Sequence, residues 1–204
     1  MTSVQDAILQ RSSTSKYQPD YVIEPETLAQ LVHLAAHSPS AYNLQNWRFI
    51  AVTAPEAKSL LREAAYGQPQ VEAASATFIV CGQLAAHKAL EQRLGESVSA
   101  GIIPQSIADS WVKAASQSHE GNAQLQRDEA IRSASLAAMS LMLAAEELGL
   151  ATGAMGGFDG EQLKRHFPLN EEDLPVMLIT IGKAAEGNWA QKARRPLDEI
   201  LTLI

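Results

Sequence analysis

The sequence predicts an α+β sandwich, a modest sheet covered by helices. Two observations carry this. Four short apolar runs, Trp47 to Thr53, Thr77 to Cys81, Ala151 to Gly157 and Val176 to Ile181, read as strands separated by helical stretches. The helix predicted over Gln124 to Leu148 is apolar almost all round from Leu136 to Ala145, so it must be covered on most sides, by its own core or by a partner subunit. With 204 residues, 46% of them hydrophobic and 19% charged, residues 1–204 are expected to form one unit rather than two.

Each element has its own signal. A short helix is expected over Ser3 to Gln10, broken by the polar run Arg11 to Lys16. Pro25 suits the first turn of the next helix and Ser38-Pro39 ends it; Leu28, Leu31, Val32 and Ala35 fall on one face between them. Further helices are expected over Pro55 to Ala65 and Ile107 to Ser118, and Gly149 is a natural stop for the long one. Asp159 and Gln162 resemble a capping box. Val176 to Ile181 is the continuous apolar type found in the middle of a sheet. The tail from Lys192 to Ile204 starts basic and ends apolar, so its end calls for burial, and in a dimer it could lie across the other subunit.

Composition excludes several functions. A net charge of -7, from 16 basic and 23 acidic residues, argues against nucleic-acid binding and against docking on anionic membranes. The single cysteine, Cys81, cannot form an intrachain disulfide and reads as a buried, inert thiol. Met1 to Gln10 has no apolar core of the signal-peptide kind, and the most apolar stretch is half the length of a membrane span. A cytoplasmic protein is expected. There is no phosphate loop, dinucleotide fingerprint, nucleophile elbow or zinc-spaced Cys/His cluster. His33 and His37 stand four apart without a third ligand, and His37 reads as a last-turn histidine at a helix C-terminus. Glu146-Glu147 and Glu171-Glu172-Asp173 read as solvated faces.

Three segments can carry chemistry. Arg11-Ser12-Ser13-Thr14-Ser15-Lys16 gathers cations and hydroxyls in a short arc, as a phosphate requires. Ser38 to Trp47 is a loop in which Asn43 and Gln45 supply amides able both to donate and to accept. Gly153 to Phe158 ends a strand in Gly156-Gly157, where backbone can approach a flat ligand. Taken singly, each also reads as an ordinary polar loop or turn.

Together, and in this order, they resemble the nitroreductase family over almost the whole chain. Arg11 and Ser13 match its R-x-S-x-[RK] segment, Pro39 to Trp47 its P-S-x-x-N-x-Q-P-W loop, Gly156-Gly157 its strand–Gly–Gly segment, and Lys192, Arg194 and Pro196 its basic C-terminal K-x-R-x-P segment. Ser15 stands where a second basic residue is usual, with Lys16 one place later, and Asn46 replaces the usual proline. The resemblance implies a nitroreductase-like α/β/α sandwich with a mostly antiparallel sheet and a C-terminal segment exchanged in a homodimer. It implies FMN at the subunit interface and NADH or NADPH as donor, with ping-pong reduction of nitroaromatics, quinones or related electrophiles. Arg11, Ser12, Ser13, Ser15, Lys192 and Arg194 would then serve the phosphate, and Pro39, Ser40, Asn43, Gln45, Gln68, Gln70, Met155, Gly156 and Gly157 the ring system. No side chain is implied as a covalent nucleophile. Relatives that reduce enones, remove halogens or dehydrogenate heterocycles leave the reaction open, with Gly101 to Gly121, and Trp111 in it, the region that would decide. A non-catalytic flavin-binding module is the other reading, and a metal protein built on His33 and His37 a third.

Overall fold

The structure is a computed structural model, and it describes residues 3–204; Met1 and Thr2, the start of the stretch without a signal-peptide core, lie outside them. The helices, with the strands between them, are α1 (Val4–Gln10), α2 (Pro25–Ala35), β1 (Trp47–Val52), α3 (Pro55–Ala64), α4 (Gln70–Ala73), β2 (Ala76–Gln83), α5 (Leu90–Ser99), α6 (Gln105–His119), α7 (Ala123–Glu147), β3 (Ala151–Met155), α8 (Gly160–His166) and β4 (Asp173–Gly182). The four strands are antiparallel in the order β1-β2-β4-β3. β4 is interior, as its unbroken apolar run predicts.

Alternation along β2 builds two layers. Phe78 and Val80 join Ile179 and Ile181 against α2 and α7, while Ile79 and Cys81 join Leu178 against α3 and α8. Helix α7 crosses β2 so closely that a Cβ on Gly82 would collide with the Ala130 carbonyl. Small residues on its inner side, Ala130, Ala134, Ala137 and Ala138, permit that approach. On its outer side Leu136 and Met139 stay 43% and 36% exposed. Gly149, at φ 66°, reverses the chain after α7.

Several expectations need correction. Asp173 is fully buried rather than solvated; it pairs with Arg48 and accepts the Asn170 N–H at 3.0 Å. Glu146 is half-buried, and burial raises its pKa. Asp159 caps α8 through the N–H groups of Glu161 and Gln162, but the Gln162 side chain turns to Asp159 Oδ2 and does not close a capping box. The Asp159 N–H donates instead to Ala64 O at 2.8 Å, tying α8 to α3. His37 lies past the last turn of α2 and bonds the His33 carbonyl through Nδ1 at 2.9 Å. Helix α5 went unread: with α6 it packs a third apolar cluster around Leu44, which takes up Trp111.

Candidate functional site

The N-terminal segment reaches the sheet through a gap made by a missing side chain. Ser13 forms a parallel bridge with Thr152, and the Thr14 N–H donates to Thr152 O at 2.9 Å. A Cβ on Gly153 would strike the Thr14 carbonyl and stand 2.8 Å from Thr180 Oγ1. Tyr17 pins the segment: its hydroxyl lies 2.7 Å from Thr180 Oγ1, and burial pushes the phenol up to about 12. The chain's last stretch is fastened to the same place. The Asn188 side chain accepts the N–H groups of Ser15 and Lys16, both at 3.0 Å, and Gln191 Nε2 donates to Arg11 O at 3.0 Å.

These contacts make a small open pocket walled by Arg11, Ser12, Ser13, Gln191, Lys192 and Arg194. Three cations and two hydroxyls around one hollow suit an anion. Lys192 Nζ also lies 5.0 Å from the Trp189 ring centroid. Ser15 and Lys16 are not among the walls; Lys16 Nζ faces the turn at Gly187.

Strand β3 leads from this pocket to a second group. Thr152 to Gly156 is four residue steps, roughly 13 Å of extended chain. There Gln68 Nε2 donates to Gly157 O at 2.9 Å, and Gln70 Nε2 reaches Gln68 Oε1 and Met155 Sδ, each at 3.1 Å. The space over the glycines is open: a Cβ at Gly156 would meet nothing within 4 Å, and one at Gly157 only Gln68 Nε2 at 3.4 Å. Arg11, Ser12, Ser13, Gln68, Gln70, Met155, Gly156, Gly157, Lys192 and Arg194 therefore lie along one edge of the sheet.

The third group stands apart. Asn43 and Gln45 precede β1, at the other edge, three strand spacings or roughly 14 Å away across the sheet. Their loop is strained: Tyr42, Asn43 and Gln45 have φ of 52°, 60° and 45°. Ser40 holds it by accepting the Gln45 N–H at 2.8 Å, and Arg93 Nη1 donates to Leu44 O at 2.5 Å. Pro39 and Ser40 remain partly exposed beside Ser38, whose hydroxyl meets that of Ser140 on α7 at 2.7 Å. One chain thus separates the Pro39–Gln45 group from the Gly156 edge.

Sequence reasoning missed Tyr17, Asn188 and Gln191. Only Gln191 had a signal, its place beside Lys192; the other two act across about the whole chain length, where no local pattern exists.

The sequence model of the Nitroreductase family matches residues 8–183. The chain belongs to the nitroreductase family. Among relatives within it, YodC of Bacillus subtilis, which bears an NAD(P)H nitroreductase name, is 38% identical over 202 residues, 99% of either chain. The conjugated-linoleic-acid (CLA) biosynthesis enone reductase of Lactiplantibacillus plantarum is 30% identical over 89% of this chain and 85% of its own. A nitroreductase-type structure from Exiguobacterium sibiricum, solved in complex with FMN, superposes with a TM-score of 0.92 at 30% identity, covering 100% of this chain and 98% of that one. The nitroreductase fold expected from the sequence is therefore the fold observed.

Proposed function

We propose that residues 1–204 form a single FMN-binding unit, that two copies share each site, and that the pair passes electrons from NADH or NADPH to small electrophiles. The observation that carries this is the continuous edge from the Arg11–Lys192–Arg194 hollow along β3 to the open face over Gly156 and Gly157. The residues fit the group: cations and hydroxyls for a phosphate at one end, side-chain amides and Cβ-free backbone for a flat heterocycle at the other. FMN, when bound, supplies the reversible electron acceptor that the side chains lack.

The chain's own residues bind and orient. Arg11, Ser12, Ser13, Lys192 and Arg194 neutralise the phosphate, while Ser15, outside the pocket wall, keeps the segment in place by donating its N–H to Asn188. Gln68 and Gln70 place amides at the ring edge, and Met155 to Gly157 bring the backbone close to the ring face. Asn43 and Gln45 come from the second copy, with Pro39 and Ser40 at the crossing, since their own chain holds them at the opposite edge. The apolar tail, with Leu197, Leu203 and Ile204 at 66%, 86% and 121% exposure, packs on the partner, as do Leu136 and Met139. The cycle is ping-pong: NAD(P)H leaves before a nitroaromatic, quinone or related electrophile enters the same open face. Enone reduction is the second reading, favoured by the identity to the Lactiplantibacillus plantarum enone reductase.

The test is an absorbance spectrum of the purified protein followed anaerobically as NADH or NADPH is added. Bleaching of a flavin spectrum, with recovery on adding a nitroaromatic or quinone, is expected; recovery on an enone alone selects the second reading. Bound flavin that never bleaches would remove the reductase assignment in favour of a binding module.

A further inference from the structure

The arm that carries Lys192 and Arg194 has no packing within its own chain to place it. Every residue from Trp189 to Pro196 is exposed, so no buried side chain fixes where these cations stand. The chain before the arm is well anchored. After β4 it pairs with the N-terminal segment: Tyr17 bridges Ala184 in antiparallel fashion, the Gln18 N–H donates to Lys183 O at 2.8 Å and the Ala185 N–H to Lys16 O at 3.0 Å. The pairing stops there, at the turn containing Gly187, whose φ is 81°. Asn188 takes over past the turn. Its Oδ1 accepts the N–H groups of Ser15 and Lys16, both at 3.0 Å, and its Nδ2 donates to Lys16 O at 2.7 Å and to Ala185 O at 3.0 Å. Both N–H groups and both acceptor sites of the amide are used. That fixes its orientation, since the reversed amide would set NH2 against two donors and oxygen against two carbonyls. Among the described residues, one hydrogen bond joins the arm beyond Asn188 to the N-terminal segment, from Gln191 Nε2 to Arg11 O at 3.0 Å.

We propose that Asn188 is a positioning residue: its amide clips the C-terminal arm to the N-terminal segment, so that Lys192 and Arg194 stand across from Arg11 before an anion arrives. Asn188 is not among the walls of the hollow, and it acts through the two segments that are. Those walls come from opposite ends of the chain, and each carries positive charge. Like charges around an empty hollow repel, so a neutral group has to hold the walls together. An arm already in place also loses less freedom on binding than a free one. The gain falls on the phosphate alone, because a flavin without a phosphate has no group to put in the hollow. Asn188 therefore sets how strongly the site prefers a flavin phosphate to the bare flavin. That consequence rests on the proposed function; the clip's effect on a phosphate anion does not.

The test compares the wild-type protein with Asn188→Ala, which removes the amide's bonds without changing a charge or a wall of the hollow. Asn188→Ser, which keeps a hydroxyl able to accept from Ser15 or Lys16, is read beside it, is expected to fall between the two, and carries the comparison if the alanine variant does not fold. Affinities of the flavin-free proteins for FMN and for riboflavin are measured by flavin fluorescence. FMN binding is expected to weaken about tenfold in Asn188→Ala, and riboflavin binding to stay unchanged. Equal losses for the two flavins, or no loss for either, overturn the positioning role. In a second arm inorganic phosphate alone is titrated while the backbone amides of Ser12 and Ser13 are followed by NMR, and the same weakening is expected. Wild-type protein that takes up phosphate but no flavin overturns the flavin reading, and the phosphate arm then decides the clip. Equal phosphate affinity in wild type and Asn188→Ala overturns the clip. Wild-type protein that binds neither phosphate nor FMN overturns both.

Discussion

At Gly153 a single hydrogen atom decides whether the N-terminal segment can lie on the sheet. Gly153→Ala puts a Cβ into the Thr14 carbonyl, and a loss of about 2–4 kcal/mol is expected in urea unfolding. The basic hollow is a residue-scale feature too. Replacing Lys192 and Arg194 together by alanine should weaken FMN retention at least about 100-fold, since charge-assisted bonds are roughly twice as strong as neutral ones; unchanged occupancy would count against the phosphate assignment. His119 is held below its ordinary pKa of 6.5, first by burial and then by His87. The folded protein therefore takes up this proton less readily than the unfolded chain. Its contribution to stability is complete above about pH 6.5 and is lost as pH falls through the lower folded value. Unfolding midpoints recorded from about pH 8 to 5 should show the loss, and His119→Gln should flatten that part of the profile. Cys81 is the case where composition sufficed: it is buried, and burial, with Asp173 nearby, pushes the thiol up to about 12.

Among the elements, those with local punctuation were legible. Pro25 and Pro55 open α2 and α3, and Gly149 closes the turn after α7, as their positions require. Helix α5 was illegible because its apolar residues, Leu90, Leu94 and Val98, form only a single-file stripe among polar neighbours, completed by Ala108 and Ala115 of α6. The cap of α8 shows the limit from the other side. The spacing of Asp159 and Gln162 is right for a capping box, yet a tertiary bond to Ala64 claims the N–H that Gln162 would have met. Asp159→Ala should cost about 1 kcal/mol of stability, because two amides at the start of α8 lose their acceptor. Val176 to Ile181 was read correctly as interior, since a strand covered on both faces leaves no polar alternation.

On the scale of the whole molecule, what stands out is apolar surface left uncovered by its own chain: Leu136 and Met139 on α7 and the tail beyond Pro196. Removing residues 197–204 should convert a dimer to a monomer in light scattering and release flavin with it. A truncated protein that stays dimeric and yellow would remove the tail from the shared-site proposal. The sequence by itself determined the four strands, the helices with local punctuation and the order of four motifs, because periodicity, charge and spacing act over a few residues. Only the tertiary structure decided which motifs meet. Arg11 and Gln191 bond across 180 positions, and Ser15 and Asn188 across 173. Asn43 and Gln45, close to Gln68 in the chain, end at the opposite edge of the sheet. Strand order and the crossing of α7 set those distances, and both depend on how buried surfaces fit together, which no short window of sequence records.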